Sequence, residues 1–244
     1  MFRQQGEART ANHNLQIASV LSFVAGIVNV AGFLAVQQLT TNVTGHFAYF
    51  VDEIFQFNFS KSIVYFVYII SFFLGAIATS FLIEALHVRS KINSYIFPVS
   101  IEILILFLIA VFANLLIIEN ANYIVCSLLF AMGLQNALVT KISNATVRTT
   151  HLTGLFTDLG IEIAQLFCYK KPKNKIILFS SIKLKLTIII FFFIGGILGG
   201  LFYQKIKLKV LFIAEFILTL GLLFNNLKLK FILLNRKFFL TSRK

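Results

Sequence analysis

Charged residues with helical spacing interrupt an otherwise apolar sequence between residues 148 and 162. His151, Asp158 and Glu162 are separated by seven and four positions, which places them within one arc of a single helix. Imidazole and carboxylate groups in this arrangement suit proton exchange or the binding of a polar solute. Arg148 precedes them, and a fixed cation near the beginning of a helix favours an anion. The pattern predicts a polar cavity or solute path, with polar pairing inside the protein as the alternative.

A second polar pattern, Thr-x-x-Thr-Gly, occurs at 41–45 and again at 150–154. In each copy we expect a Thr hydroxyl to cap the following helix, leaving backbone N–H groups for an anion. The alternative is a packing role, because Asn side chains bridge membrane helices and Gly allows close contact. The predicted solute-binding residues are Asn29, Thr41, Thr44, Gly45, His46, Gln135, Asn136, Arg148, Thr150, His151, Thr153 and Gly154.

Two further carboxylates stand alone on apolar segments. Glu102, in PVSIEILIL, matches Glu215, in LFIAEFILT. Ionisable groups inside a membrane usually face the protein interior, so these two would pair between two halves of the protein or carry a proton. The predicted ion- or proton-coupling residues are Glu53, Glu102, Asp158, Glu162 and Glu215.

Metal binding and enzyme catalysis have little support in these residues. His151 and Glu162 are about 16 Å apart along a helix, too far to share one ion. Phosphate loops, nucleophile elbows and dinucleotide fingerprints do not occur in the sequence. No catalytic residue, metal or cofactor is therefore predicted.

The elements that carry these residues are predicted to be membrane helices. Hydrophobic residues make up 58% of the 244 residues and charged residues 13%, against about 45–50% and 25% in a soluble domain. Six runs approach the roughly 20 apolar residues that a bilayer requires. They are 15–38, 62–86, 94–118, 123–139, 184–203 and 210–225. Two shorter and more polar segments, 42–57 and 151–169, are predicted to be re-entrant or strongly tilted helices.

The order of these elements indicates an internal duplication. GIVNVAGF at 26–33 is similar to GLQNALVT at 133–140, and FFLGAIATSFL at 72–82 is similar to FFIGGILGGLF at 192–202. In each half, one Thr-x-x-Thr-Gly sequence lies between these two segments, so the three segments occur in the same order in both halves. We predict one unit at 15–118 and a second at 122–226, after a cytoplasmic N-terminus at 1–14 and before a basic tail at 227–244.

The excess of basic residues serves to predict orientation. Lys and Arg number 22 against 9 acidic residues, a formal charge of +13. With six crossings, 18 of the 22 lie on the cytoplasmic side, and with eight crossings 15 do. Six crossings, inverted units and two cytoplasmic termini are therefore favoured. Since these basic residues lie in loops and tails, no nucleic-acid partner is predicted.

The same segments carry a family resemblance. GIVNVAGF, TNVTGHFAYFVDEI and AMGLQNALVTKISNATVRTTHLTGLFTDLGIEI closely resemble the YoaK family of bacterial multi-pass membrane proteins, a domain of unknown function (DUF1275). The resemblance covers about residues 15–225 and implies a small inner-membrane protein without an established activity. The usual Thr-Gly-Asn is Thr-Gly-His at 44–46. By position, the characteristic residues are Gly26, Asn29, Thr44, Gly45, Gln135, Asn136, Thr150, His151, Thr153 and Gly154.

Together these patterns predict an all-α polytopic membrane protein that is a carrier or channel for a small solute, with anions among the candidates. Its site would lie between the two short polar helices. A non-catalytic assembly or sensing protein is the alternative, followed by an intramembrane enzyme on a lipid-like substrate with His151 as general base. The predicted partners are the lipid bilayer and an unknown small solute, and homo-oligomerisation stays open.

Overall fold

The described part of the chain is helical throughout. A computed structural model describes residues 10–89, 95–168 and 172–223, and within these ranges no strand occurs. The elements are α1 (Ala11–Val36), α2 (Thr44–Phe55), α3 (Phe59–Arg89), α4 (Ile96–Ser143), α5 (Leu152–Cys168), α6 (Pro172–Ile206), a 3₁₀ turn (Lys207–Val210) and α7 (residues 211–223). The predicted all-α class is confirmed, and the basic tail at 227–244 lies outside the described residues.

Five helical segments of the described chain are long and apolar enough to cross a membrane. They are Ala11–Val36, Phe59–Leu86, Ile96–Ala113, Asn120–Ser143 and Asn174–Leu223. The first and fourth are each 61% buried inside the protein, whereas the second is only 22% buried. Because α3 leaves most of its apolar surface exposed, it lies at the periphery, and α1 and the second half of α4 form the centre. These helices are those of a membrane protein.

Two boundaries differ from the sequence prediction. The runs at 94–118 and 123–139 join into α4, which is interrupted only at Asn120, where φ is −166° and ψ is 106°. The Asn120 side-chain oxygen accepts the backbone N–H of Asn122 at 3.0 Å and so caps the second half of α4. The run at 184–203 extends back to Pro172, which is tolerated in the first turn of a helix. Toward the C-terminus, this helix is followed directly by the 3₁₀ turn and α7.

Glycines set the contact between α1 and α6, one of the two most extensive helix pairs. A Cβ atom on Gly26 would lie 2.1 Å from the carbonyl oxygen of Phe192, and one on Gly195 would lie 2.1 Å from that of Phe23. The two backbones are therefore in direct contact, with no space for a side chain. Small residues at such a contact are typical of closely packed membrane helices.

The same reciprocal contact joins α3 to the second half of α4. A Cβ on Gly75 would lie 2.1 Å from the Phe130 carbonyl oxygen, and one on Gly133 would lie 2.1 Å from that of Phe72. All four glycines end a Phe-x-x-Gly sequence, and each contacts the Phe carbonyl of the partner sequence. This motif was not predicted from the sequence, although its recurrence along the chain is a signal that could have revealed it.

Candidate functional site

The loop before α2 folds back along α1. The Thr41 hydroxyl donates to the side-chain oxygen of Asn29 at 2.8 Å, and the Thr40 hydroxyl donates to the Val28 carbonyl at 3.2 Å. Asn29 lies two turns before the end of α1 at Val36, so the loop returns toward the middle of that helix. The expected capping of α2 by a Thr hydroxyl is wrong, because the residue before α2 has no side-chain cap and Thr41 is bound to Asn29.

The loop before α5 makes the corresponding contact with α4. The Thr150 hydroxyl donates to the side-chain oxygen of Asn136 at 3.0 Å, and the Asn136 amide donates to the Met132 carbonyl at 2.8 Å. Ser143 adds a second anchor, since its hydroxyl oxygen accepts the Val147 N–H at 2.9 Å. Both predicted Asn residues thus hold the loops that precede the short helices.

A cavity of about 370 Å³ lies between this loop, α5 and the first half of α6. It brings together Arg148, His151 and Asp158, all three of which were predicted for the site. Ser181 and Lys185 of α6 also line it, and sequence analysis had not identified them. At the start of the predicted run 184–203, Lys185 reads as one of the cytoplasmic basic residues, whereas it lies well within α6. The remaining wall is formed by Ala145, Thr146, Gly154, Leu155 and Leu184.

Glu162 is tied to the α6 wall of this cavity. One of its carboxylate oxygens accepts from Lys185 Nζ at 2.7 Å and from the Ser181 hydroxyl at 2.7 Å, and Lys185 also donates to Ser181 at 2.8 Å. The Lys185 and Glu162 side chains are only 14% and 17% exposed. For Glu162, internal pairing thus accounts for the position of the carboxylate, and the pair links α5 to α6.

The two other charged side chains that line the cavity are accessible to solvent. Arg148 and Asp158 are exposed, and neither forms an ion pair with any residue that the structure describes. The His151 ring packs on Gly154, where an added Cβ would lie 2.2 Å from Nε2. Glycine at 154 therefore leaves room for the imidazole at this position.

In contrast to the cavity beside α5, the space beside α2 is filled by side chains. His46 is fully buried, and its Nε2–H donates to the Leu39 carbonyl at 2.7 Å. Its ring centre lies 5.1 Å from that of Tyr68 and 6.1 Å from that of Tyr65. Burial lowers the pKa of His46, and the hydrogen bond to Leu39 partly opposes this. The neutral, packed ring has no open side toward a solute.

Other predicted solute-binding residues are dispersed. Gln135 is fully buried and donates to the Leu21 carbonyl at 3.1 Å, which links α4 to α1. Thr44 and Thr153 are exposed in the first turns of the short helices, and Gly45 lies beside Thr44. None of these residues lines the 370 Å³ cavity.

Three predicted carboxylates also lie away from this cavity. Glu102 is completely buried in α4, and within the described chain neither of its carboxylate oxygens has a hydrogen-bond partner. Glu215 accepts a hydrogen bond from the Thr219 hydroxyl at 3.0 Å on its own helix. Glu53, on α2, has one buried oxygen without a partner among the described residues.

Comparison with known proteins identifies the family but gives no activity. The family described as "Protein of unknown function (DUF1275)" matches residues 17–224. No curated protein and no solved structure matches the chain. The matched segment contains every residue of the cavity and both Thr–Asn contacts, so the resemblance drawn from the sequence is confirmed. The chain therefore belongs to the DUF1275 family of proteins of unknown function.

Proposed function

We propose that the protein is a carrier or channel for a small polar solute, and that the cavity beside α5 is its solute site. The observation that carries this proposal is the meeting of Arg148, His151, Asp158 and Lys185 in one cavity of about 370 Å³. Charged groups are costly within a membrane protein and generally face a water-filled path. A cavity of this size also suits a small ligand.

An inverted duplication with six crossings supports transport. The Thr–Asn contact occurs once in each proposed unit, and the four Phe-x-x-Gly sequences pair across the units, α1 with α6 and α3 with α4. We count α6 and α7 as separate crossings, because Lys207 has a left-handed backbone (φ 52°) at the 3₁₀ turn between them. Many secondary carriers combine inverted repeats with broken helices at the substrate site.

The short helices supply such broken elements. We infer that α2 is re-entrant, because its loop returns to the level of Asn29 and its 12 residues span only about 18 Å of a bilayer core about 30 Å thick. Because the Thr150–Asn136 contact returns the loop before α5 to the level of Asn136 in α4, we infer that α5 is also re-entrant, from the opposite side of the membrane. The distribution of basic residues supports a cytoplasmic position for both termini, and the family resemblance supports a bacterial inner membrane.

Osmotic swelling of proteoliposomes tests this function. Vesicles containing the full-length protein are shrunk and then followed by light scattering in glycine, sodium lactate, sodium phosphate or choline chloride, each separately. We expect re-swelling in at least one solute. In H151A and D158N the rate should fall about 10- to 100-fold, the effect of losing one hydrogen bond to a charged group.

The control is Y49F, at an exposed position of α2 away from the cavity, which should swell like the parent protein. The proposal is rejected if three results coincide. None of the four solutes enters the vesicles, none binds to the purified protein, and H151A and D158N leave the phenotype of cells that express them unchanged.

A further inference from the structure

We propose that the solute is a small zwitterion of the α-amino acid class with an apolar side chain. In this assignment Arg148 binds the carboxylate and Asp158 binds the ammonium group. The inference rests on the proposed function, because it names the solute of the same cavity. It replaces the expectation of an anion with a more specific chemical class.

The charges around the cavity support this class. Lys185 and Glu162 neutralise each other at 2.7 Å. The cation of Arg148 and the anion of Asp158 remain, both exposed and without an ion pair to any described residue. A simple anion would pair with Arg148 but leave Asp158 opposed to its charge. A simple cation would leave Arg148 unpaired, whereas a ligand with both charges pairs with the two groups at once.

The positions of the two groups agree with one small ligand between them. Arg148 extends from the loop before α5 and Asp158 from the second turn of that helix, and both line the same cavity. The planar guanidinium of Arg suits bidentate binding of a carboxylate. Leu155 and Leu184 provide an apolar wall for a side chain, and His151, held on Gly154, provides a further hydrogen-bonding group.

The absence of Trp from the chain provides a direct binding assay. Thr146 is exposed and lines the cavity, so T146W introduces the sole tryptophan at the site. The full-length variant in detergent is titrated at pH 8 with leucine, with 4-methylpentanoate, which lacks the ammonium group, and with 3-methylbutylammonium, which lacks the carboxylate. We expect leucine to shift the emission and to bind at least tenfold more tightly than either analogue.

Charge-removing variants assign each contact. In the T146W background, R148Q should abolish the preference for leucine over 3-methylbutylammonium, and D158N should abolish the preference over 4-methylpentanoate. The matched controls are K183Q and D52N, which remove one charge of each sign at exposed positions outside the cavity. Both should retain the tenfold preference. Uptake of radiolabelled leucine by proteoliposomes of the parent protein provides a second measurement that does not depend on T146W folding.

The outcomes separate this inference from the proposed function. If 4-methylpentanoate binds as tightly as leucine and R148Q abolishes both, the solute is an anion, and the zwitterion inference is overturned while the carrier function stands. If 3-methylbutylammonium alone binds tightly, the solute is a cation, and the zwitterion inference is overturned while the carrier function stands. If leucine neither binds nor enters vesicles that do re-swell in another solute, the inference also fails. If no solute enters at all, both proposals fail together.

Discussion

The regions beside α2 and α5 have the same scaffold but different contents. In each, a Thr hydroxyl of the preceding loop donates to an Asn of the preceding long helix, at 2.8 Å for Thr41 and at 3.0 Å for Thr150. Around α2 the space is filled by the buried His46 and two tyrosines. Around α5 it is an open cavity with charged walls.

The two regions also differ at corresponding positions of α3 and α6. Tyr65 of α3 and Lys185 of α6 are 120 residues apart, as are Phe72 and Phe192 of the two glycine contacts. An aromatic residue in one region thus corresponds to a charged residue in the other. The Thr–Asn contact thus forms around α2 without a charge at this position. In the α5 cavity Lys185 pairs with Glu162, and Arg148 and Asp158 remain as charged groups without an ion pair to any described residue.

The largest expected effect tests whether the two scaffolds are equivalent. Gly26 and Gly133 occupy matching positions, and a Cβ on either would lie 2.1 Å from a backbone carbonyl oxygen. We expect G26A and G133A each to lower the free energy of unfolding by about 3 kcal/mol, since the helices must separate. Denaturation of the purified protein in mixed micelles measures this value.

Two other glycines serve as controls for this prediction. A Cβ on Gly196 would meet the Val30 side chain at 3.1 Å and the Gly26 carbonyl oxygen at an ordinary contact distance of 3.7 Å, and one on Gly160 would meet nothing within 4 Å. G196A should cost much less than G26A, and G160A should cost nothing. A large loss in G26A with none in G133A would show that the two helix contacts are not equivalent.

An intermediate effect tests the two loop anchors. T41V and T150V each remove one Thr–Asn hydrogen bond, and we expect a loss of about 1 kcal/mol in the free energy of unfolding for each. Only T150V should also slow solute entry, several-fold, because its loop carries Arg148 and His151. The swelling assay measures this second effect. Equal loss of transport in T41V would contradict the assignment of the solute to the α5 cavity alone.

The smallest effect concerns the packed histidine beside α2. Because burial lowers the pKa of His46 below its ordinary value of 6.5, the unfolded chain takes up a proton before the folded protein does. Stability is therefore complete above about pH 6.5, falls as the pH drops below this value, and levels off below the folded-state pKa. Thermal unfolding from pH 8 to pH 5 should show this slope for the parent protein. The same slope in H46Q would disprove the assignment to His46.

Part of the site could be predicted because it is local in sequence. Arg148 and His151 lie in one loop and Asp158 lies in the second turn of the helix after it, so nearness in sequence brings the three together. Lys185 and Ser181 were missed because their contact with Glu162 joins two helices. At the start of the predicted run 184–203, Lys185 has the pattern of a flanking basic residue that sets orientation. His46 directly follows the Thr-x-x-Thr-Gly sequence at 41–45, and only its burial among aromatic neighbours shows that it is packed.

The sequence by itself determined the helical membrane class, the polar segments and the similarity between the halves, because composition and periodicity are properties of the chain alone. Tertiary structure decided which glycines bring backbones together, which carboxylate is neutralised and which polar segment is open. Each of these depends on groups that are distant in sequence, such as Gly26 with Phe192 or Glu162 with Lys185. Contacts across helices follow from packing geometry, which a one-dimensional pattern does not contain.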